Sequence, residues 1–368
     1  MGEKVLMKGN EAMAAAAIAA GCRFFFGYPI TPQTELSAYM SKTMPKVGGL
    51  YLQAESEVAA INMVYGASAA GARVMTSSSS PGISLKSEGV SYIAGADLPA
   101  VIINVQRGGP GLGGIQPSQS DYWQATRGLG HGDFHIMIYA PSSVQEMADC
   151  VYGAFDKADK YRVPVLLLAD GLLGQMMEPV VLPEQRSLDE LPAKPWATSG
   201  THMEREHNIA NSLYLTADEL EYLNFERFKR YSVIEAEEQR YECFQTEDAE
   251  IVLVAFGATS RIVRSAVVKA RAKGIKAGLI RPVTLWPFPR KAFDELPASV
   301  SQLLSVEMSM GQMVDDVRLA VAGRIPVSFF GHTGGVIPTP AEVLEQIENL
   351  AAGRPVTQAV CAFAKEGE

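Results

Sequence analysis

Small-residue, helix-prone stretches alternate with short apolar runs through the first half of the chain. Gly9–Ala20 reads as an alanine-rich helix, and Arg23–Tyr28 as a short apolar strand broken by Pro29 and Pro32. A second small-residue helix is predicted from about Glu57 to Ala70. Strands follow at Arg73–Ser77 and Ala100–Gln106, then a helix near Ser143–Lys160 and a strongly apolar strand at Val163–Ala169. Continuous apolar strands separated by helices predict a parallel sheet covered on both faces.

The rhythm changes between about Pro179 and Asp248, where Pro, Glu, Arg and Lys rise and the apolar periodicity weakens. This stretch, with the charged segment Asp218–Glu238, reads as a long connector with helical parts. A second α/β unit then starts with strand Glu250–Phe256, helix Ser260–Ala272 and strand Ala277–Ile280. Strand Gln302–Glu307, a helix from Asp315 and strand Val327–Phe330 complete it. The expected organisation is therefore 1–178, a connector over 179–248, and 249–368. A chain of 368 residues has ample length for two such cores.

Composition narrows the function classes. With 47% hydrophobic and 20% charged residues the chain is an ordinary globular one, and its net charge of −9 argues against nucleic-acid binding, which needs clustered Lys and Arg. Cys22, Cys150, Cys243 and Cys361 lie far apart and form no C-x-x-C pair, so no zinc ribbon or ferredoxin-type cluster can be built locally. They fit buried apolar thiols in a reducing compartment. Of the histidines, only His131 and His135 share a local surface, without acidic or thiol ligands at a helical offset. The alanine-rich stretch Ala12–Ala20 lacks the flanks of a signal peptide, and no uncharged apolar run approaches the roughly 20 residues that span a bilayer. A cytoplasmic location, away from membranes, is expected.

Gly109-Pro-Gly-Leu-Gly-Gly114 matches G-x-G-x-x-G and follows a predicted strand. A dinucleotide site needs that loop to open a helix, yet Pro117 interrupts the first turns, and Asp133 precedes the next apolar run instead of closing it. The glycines read better as a loop lying flat against a ligand or partner.

Candidate chemistry gathers at the ends of predicted strands, where ligands of open α/β sheets sit. Gly27-Tyr-Pro-Ile-Thr-Pro-Gln33 ends the first strand, and Ala54-Glu-Ser-Glu-Val-Ala59 leads into a helix. Thr76-Ser-Ser-Ser-Ser-Pro-Gly-Ile-Ser84 and Gln106-Arg-Gly-Gly109 end two more. Each alone has a plain explanation: Glu57 can favour a helix dipole, Arg107 can be a surface ion-pair member, and Thr31 between prolines can be turn chemistry.

In this order and spacing, together with Gly9-Asn-Glu-Ala12, Arg281-Pro-Val-Thr-Leu-Trp-Pro-Phe-Pro289 and Val306-Glu-Met-Ser-Met-Gly-Gln312, these segments resemble the α subunit of 2-oxoacid:ferredoxin oxidoreductases. The resemblance covers nearly the whole chain. One departure is Ser80 before Pro81-Gly82, where the family commonly has a glycine. The connector, at Lys194-Pro-Trp-Ala-Thr198, Asn211-Ser-Leu-Tyr214 and Arg240-Tyr-Glu242, is similar to the branched-chain (2-oxoisovalerate) branch.

The resemblance implies an α/β fold of two doubly wound parallel-sheet domains: a thiamine-diphosphate-enzyme pyrimidine (PYR) domain and a transketolase C-terminal-like domain. It implies oxidative decarboxylation of a 2-oxoacid on thiamine diphosphate, electrons passing to ferredoxin and the acyl group to coenzyme A. Glu57 would hydrogen-bond the cofactor's pyrimidine nitrogen, with Glu55 as the rival; Arg107 would pair with the substrate carboxylate and Thr31 would hydrogen-bond it or the keto oxygen. The family's Mg²⁺-binding Gly-Asp-Gly…Asn segment is missing, since Asp170-Gly171 lacks the preceding Gly and a fitting Asn. The diphosphate, its Mg²⁺ and the [4Fe-4S] clusters are therefore expected on partner chains: a β subunit, with γ and ferredoxin-like subunits. Two alternatives stay open. One is the 2-oxoglutarate-specific relative, for whose second carboxylate Arg127 is an available cation; the other is a non-catalytic scaffold subunit.

Overall fold

A computed structural model describes residues 3–358, so Cys361 lies outside the described residues. The chain begins with β1 (Lys4–Lys8), α1 (Gly9–Ala19), β2 (Phe24–Gly27), α2 (Thr34–Thr43), β3 (Leu50–Gln53) and α3 (Glu57–Ala69). It continues through β4 (Val74–Ser78), α4 (Ser80–Gly95), β5 (Ala100–Gln106), β6 (Met137–Tyr139), α5 (Val144–Tyr161), β7 (Pro164–Asp170), α6 (Gly171–Gln175) and β8 (Met177–Val181). After the long helix α7 (Ala217–Glu237) come β9 (Tyr241–Phe244), β10 (Ile251–Val254), α8 (Gly257–Ala272), β11 (Ala277–Pro282) and β12 (Thr284–Trp286). The last elements are α9 (Lys291–Asp294), β13 (Gln302–Glu307), α10 (Met313–Val321), β14 (Val327–Gly331) and α11 (Pro340–Ala351).

Strands β4, β5 and β7 are buried along their whole length, as central parallel strands covered on both faces must be. They lie in a seven-stranded sheet of order β12-β6-β7-β5-β4-β2-β3. From β2 the chain first adds β3 on one side and then crosses back to β4 on the other, so the strand order reverses around β2. The crevice outside the carboxyl ends of β2 and β4 is therefore the topological switch point, where such sheets bind ligands. Helix α1 packs closely on α5 and α6 because it is small-sided: a methyl group added at Gly9 would sit 2.2 Å from the Leu173 carbonyl oxygen of α6 and 2.8 Å from Met147 Sδ of α5.

A second sheet has order β14-β13-β10-β11-β9. Each large sheet is parallel, as expected, and carries one antiparallel strand at an edge, β12 against β6 and β9 against β11. Three-residue β12 comes from the second half of the chain yet completes the first sheet, pairing Thr284 with Tyr139 and Trp286 with Ile138. Trp286 stacks on His135 with ring centroids 4.6 Å apart, and Arg281 grips Glu146 of α5 through two bonds of 2.9 and 3.0 Å. Further along, Gln119 N donates to Met308 O at 2.9 Å and Gln312 Nε2 to Ser120 O at 2.8 Å. The motifs at Arg281–Pro289 and Val306–Gln312 thus tie the two sheets together.

Among the described residues, no helix is long and apolar enough to cross a membrane. Cys22 and Cys150 are buried, and burial pushes both thiols up to about 12. Cys243 is exposed on edge strand β9, which corrects the expectation that it is a buried thiol.

Candidate active site at the carboxyl ends of the first sheet

Four strand ends meet at the switch point. Thr31 follows β2, Glu57 follows β3, Ser78 and Ser79 end β4, and Arg107 follows β5. Ser56 starts α3 as its N-cap, its Oγ accepting from Ala59 N at 3.1 Å, and this fixes Glu57 in the first turn, where the helix dipole favours a carboxylate. Glu57 is only 6% exposed, and its carboxylate has no hydrogen-bond partner among the described residues. Glu55, two residues earlier, is exposed.

The wall facing Glu57 is the first turn of α4. A methyl group added at Gly82 would lie 2.6 Å from Glu57 Oε1 and 2.1 Å from Ser78 Oγ, so only glycine leaves the carboxylate its place. The Ser78 and Ser79 hydroxyls beside it are buried without partners. An uncompensated buried polar group costs free energy, so these two hydroxyls, close to the Glu57 carboxylate, make a candidate place for an outside hydrogen-bonding partner.

Arg107 lies on the other flank of the same helical turn. Its backbone N–H donates to Ser80 Oγ at 3.0 Å, and Ser80 in turn donates to Asp121, which also accepts from Asn104 Nδ2 at 2.9 Å. Burial raises the Asp121 carboxyl above its ordinary range, against the hydrogen bonds from Ser80 and Asn104 and the charge of Arg107. The Arg107 guanidinium reaches Thr31 O at 3.0 Å and Leu112 O at 2.9 Å, while its buried Nε has no partner. The structure therefore brings Thr31 and Arg107 into direct contact. Glu57 joins them through the Ser80–Gly82 turn, which touches both.

The loop after Arg107 folds back on itself. Gly108 N donates to Gln116 O, Gly114 N to Gly108 O, and no helix opens before Tyr122, so the glycines shape a flap instead of a dinucleotide turn. Asp170 caps α6, accepting from Leu172 N and Leu173 N at 3.0 Å, and burial raises its pKa to about 6. Arg127, the cation available for a second carboxylate, is held by Asp316 at 2.7 Å.

Sequence reasoning marked the run Thr76–Ser84 without giving Ser78 or Ser79 a role, and it passed over Asn104, Asp121 and Lys86. Two signals were present: the serine run after β4, and polar Asn104 and Gln106 inside an otherwise apolar strand. Lys86 gave none, because α4 carries no clear apolar stripe from which a buried position could be read.

Two family models match, "Pyruvate flavodoxin/ferredoxin oxidoreductase, thiamine diP-bdg" over residues 15–243 and "Pyruvate:ferredoxin oxidoreductase core domain II" over residues 249–343. The ketoisovalerate oxidoreductase subunit VorB of Methanothermobacter marburgensis is 50% identical over 94% of this chain and 97% of its own length. The 2-oxoglutarate synthase subunit KorA of the same organism is 37% identical, over 95% of this chain and 100% of its own. Among solved structures, a 2-oxoglutarate:ferredoxin oxidoreductase from Magnetococcus marinus, with 2-oxoglutarate, coenzyme A and succinyl-CoA bound, matches with a TM-score of 0.85 and 28% identity. The match covers 95% of this chain, which spans only 65% of that one. A split-gene transketolase, an inactive β4 tetramer, shares the fold, with a TM-score of 0.57 at 14% identity over 95% of this chain and 98% of its own. The chain belongs to the 2-oxoacid:ferredoxin oxidoreductase family, as a subunit with a thiamine-diphosphate-binding domain in a multi-subunit oxidoreductase.

Proposed function

We propose that this chain is the pyrimidine-side α subunit of a cytoplasmic branched-chain 2-oxoacid:ferredoxin oxidoreductase, with Glu57, Arg107 and Thr31 as its working residues. The observation that carries the reading is the buried Glu57 carboxylate, unpartnered among the described residues and set so close to Gly82 that no larger side chain fits beside it. A ring with hydrogen-bonding nitrogens would give that carboxylate the partner it lacks, and the orphaned Ser78 and Ser79 hydroxyls offer further partners. Thiamine diphosphate supplies, when bound, a carbon nucleophile for the keto group and a sink for the electrons left as carbon dioxide departs. Glu57 holds a proton at the pyrimidine ring nitrogen, and burial strengthens that hydrogen bond. Arg107, with its Nε unpartnered, pairs with the substrate carboxylate, as a planar guanidinium does well. Its bond to the Thr31 carbonyl keeps the Thr31 residue beside the same substrate end.

The diphosphate with its Mg²⁺ sits on a β subunit, and the [4Fe-4S] clusters on partner chains that include γ and ferredoxin-like subunits. Asp170, which would be this chain's nearest match to a Mg²⁺ ligand, is occupied as a helix cap. Products leave as acyl-CoA and reduced ferredoxin.

Greater similarity to the ketoisovalerate subunit than to the 2-oxoglutarate subunit supports a branched 2-oxoacid as substrate. The ion pair of Arg127 with Asp316 agrees, since it removes a candidate partner for a distal carboxylate. A buried, unpaired second carboxylate costs several kcal/mol, more than the ~1–3 kcal/mol that separates substrates differing by one methylene. On the reconstituted complex, with coenzyme A and a viologen dye, kcat/KM should be high and overlapping for 2-oxoisovalerate and pyruvate and clearly lower for 2-oxoglutarate. A preference for 2-oxoglutarate of about tenfold or more would discard the branched-chain reading.

A further inference from the structure

Helix α4 presents one narrow stripe to α3: Gly82, then Lys86 one turn on, then Gly89. The two glycines are there for close approach. A methyl group at Gly82 would collide with Glu57, and one at Gly89 would lie 2.4 Å from Ile61 Cγ2, one turn along α3. Between them, on the same stripe, stands a lysine with no solvent exposure at all. Its Nζ donates to Thr76 Oγ1 at 2.6 Å and to the Ser77 carbonyl at 3.1 Å, both on β4. An ammonium group has three donors, so one remains without a partner.

A lysine buried in a helix–sheet interface is costly unless a charge compensates it. No carboxylate lies within salt-bridge reach among the described residues. Glu57, the first residue of α3, is the charged group whose field acts on Lys86, and it opposes the downward push of burial, which brings the ammonium to about 7. The other packed elements bring no further charge to bear. β4 offers only hydroxyls, β5 has no ionisable side chain, Tyr65 of α3 is turned to the Ala210 carbonyl, and Asp170 at the end of β7 caps α6. Glu57 and Lys86 are thus the two uncompensated charges of this interface, each lacking a direct ionic partner and each placed where the other's field reaches it.

We propose that Lys86 is a positioning residue for Glu57: a buried countercharge, held by Thr76 and Ser77, that orients the carboxylate meant to meet the cofactor and favours its charged form. The proposal rests on the reading that Glu57 serves the cofactor. Lys86 itself touches neither cofactor nor substrate; it acts through Glu57. As a cation it favours the ionised carboxylate, the form that can accept a hydrogen bond from a protonated ring nitrogen. As a group held near 7, it makes that preference depend on pH across the neutral range.

The test uses the assembled complex with Glu57→Gln, Lys86→Met, Lys86→Arg and the double variant E57Q/K86M. Thiamine content, subunit assembly, kcat, KM and the pH profile of kcat are followed for 2-oxoisovalerate. Lys86→Met should assemble, keep KM and thiamine content, lower kcat by about tenfold or more, and move the acid limb of kcat to higher pH, because a nearby cation favours the charged form of a carboxylate and the variant lacks it. Lys86→Arg, which keeps the charge, should restore the limb. The double variant should be no slower than Glu57→Gln alone, since a residue acting through Glu57 has nothing left to act on. An unmoved limb in Lys86→Met, or an additive loss in the double variant, overturns the role for Lys86. If Glu57→Gln itself turns over normally, the reading of Glu57 fails instead. Should Lys86→Met not assemble, Thr76→Val removes only the hydroxyl that holds the ammonium. The limb should then move the same way by a smaller step, and a limb that stays in place counts against the proposal.

Discussion

Gly82→Ala tests the site with a single methyl group. The new Cβ would stand 2.1 Å from Ser78 Oγ and 2.6 Å from Glu57 Oε1, against 3.4 Å where ordinary contact begins. Ser78 can relieve its clash by rotating an unpartnered hydroxyl, at small cost. Glu57 cannot do so cheaply, because its Cδ would also be only 3.2 Å from the methyl and its backbone is fixed in the first turn of α3. The carboxylate must retreat by the difference between 2.6 and 3.4 Å, about 0.8 Å. A displacement of about 1 Å at a reacting group can cost about 10²-fold in rate, while overpacking costs ~1–3 kcal/mol of stability. Turnover of the assembled enzyme, measured as viologen reduction with 2-oxoisovalerate and coenzyme A, should therefore fall by roughly 10²-fold, with a modest drop in melting temperature. Gly89→Ala is the matched control, because its Cβ would strike Ile61 Cγ2 at 2.4 Å and crowd the same pair of helices without touching the carboxylate. It should lower the melting temperature and leave most of the turnover. Normal turnover in Gly82→Ala would refute the placement of Glu57 in the chemistry. Equal losses in both variants would trace the effect to helix spacing alone.

Glu57→Gln should keep assembly and cut turnover by about 10²–10⁴-fold, whereas Glu55→Gln, at an exposed position, should stay near wild type; the reverse ranking in steady-state assays would exchange their roles. Arg107→Ala should raise KM or lower kcat/KM for 2-oxoisovalerate, pyruvate and 2-oxoglutarate together, since the carboxylate it would pair with is common to all three, and a loss confined to one substrate would remove it from that role. Asp170 has a folded-state pKa of about 6, above its ordinary value of 3.8, so the folded enzyme binds more protons than the unfolded chain between those pH values. Its contribution to stability is present below the lower value and is lost as pH rises through about 6. Melting temperatures across that range should decline less steeply with rising pH in Asp170→Asn than in wild type, and identical slopes would refute the assignment.

Much of the geography of the candidate site was legible from one dimension. Parallel strands end where their apolar runs end, and ligands of such sheets gather there, so Thr31, Glu57 and Arg107 could be marked from local pattern and motif resemblance. Long buried runs such as Val163–Ala169 and Ala100–Gln106 also located the central strands to within a residue of the observed β7 and β5. Short elements escaped, because three or four residues carry too little periodicity: β12 is three residues long, and its place in the first sheet depends on partners some 145 positions earlier in the chain.

What only the tertiary structure decided are relations between distant residues. The sequence offered both Glu55 and Glu57, and the fold turned one to solvent and the other into the crevice, since a helix start at Ser56 fixes which side chain faces inward. It offered Arg127 as an available cation, and α10 brought Asp316 against it. The motifs at Arg281–Pro289 and Val306–Gln312 looked like signatures, and their contacts with Glu146, His135 and Ser120 make them struts that carry the second sheet against the first. Lys86 and Gly82 acquire meaning only when α4 lies against α3. Local pattern records where the chain is apolar, while charge compensation and close approach belong to pairs of residues, and those pairs exist only once the chain has folded.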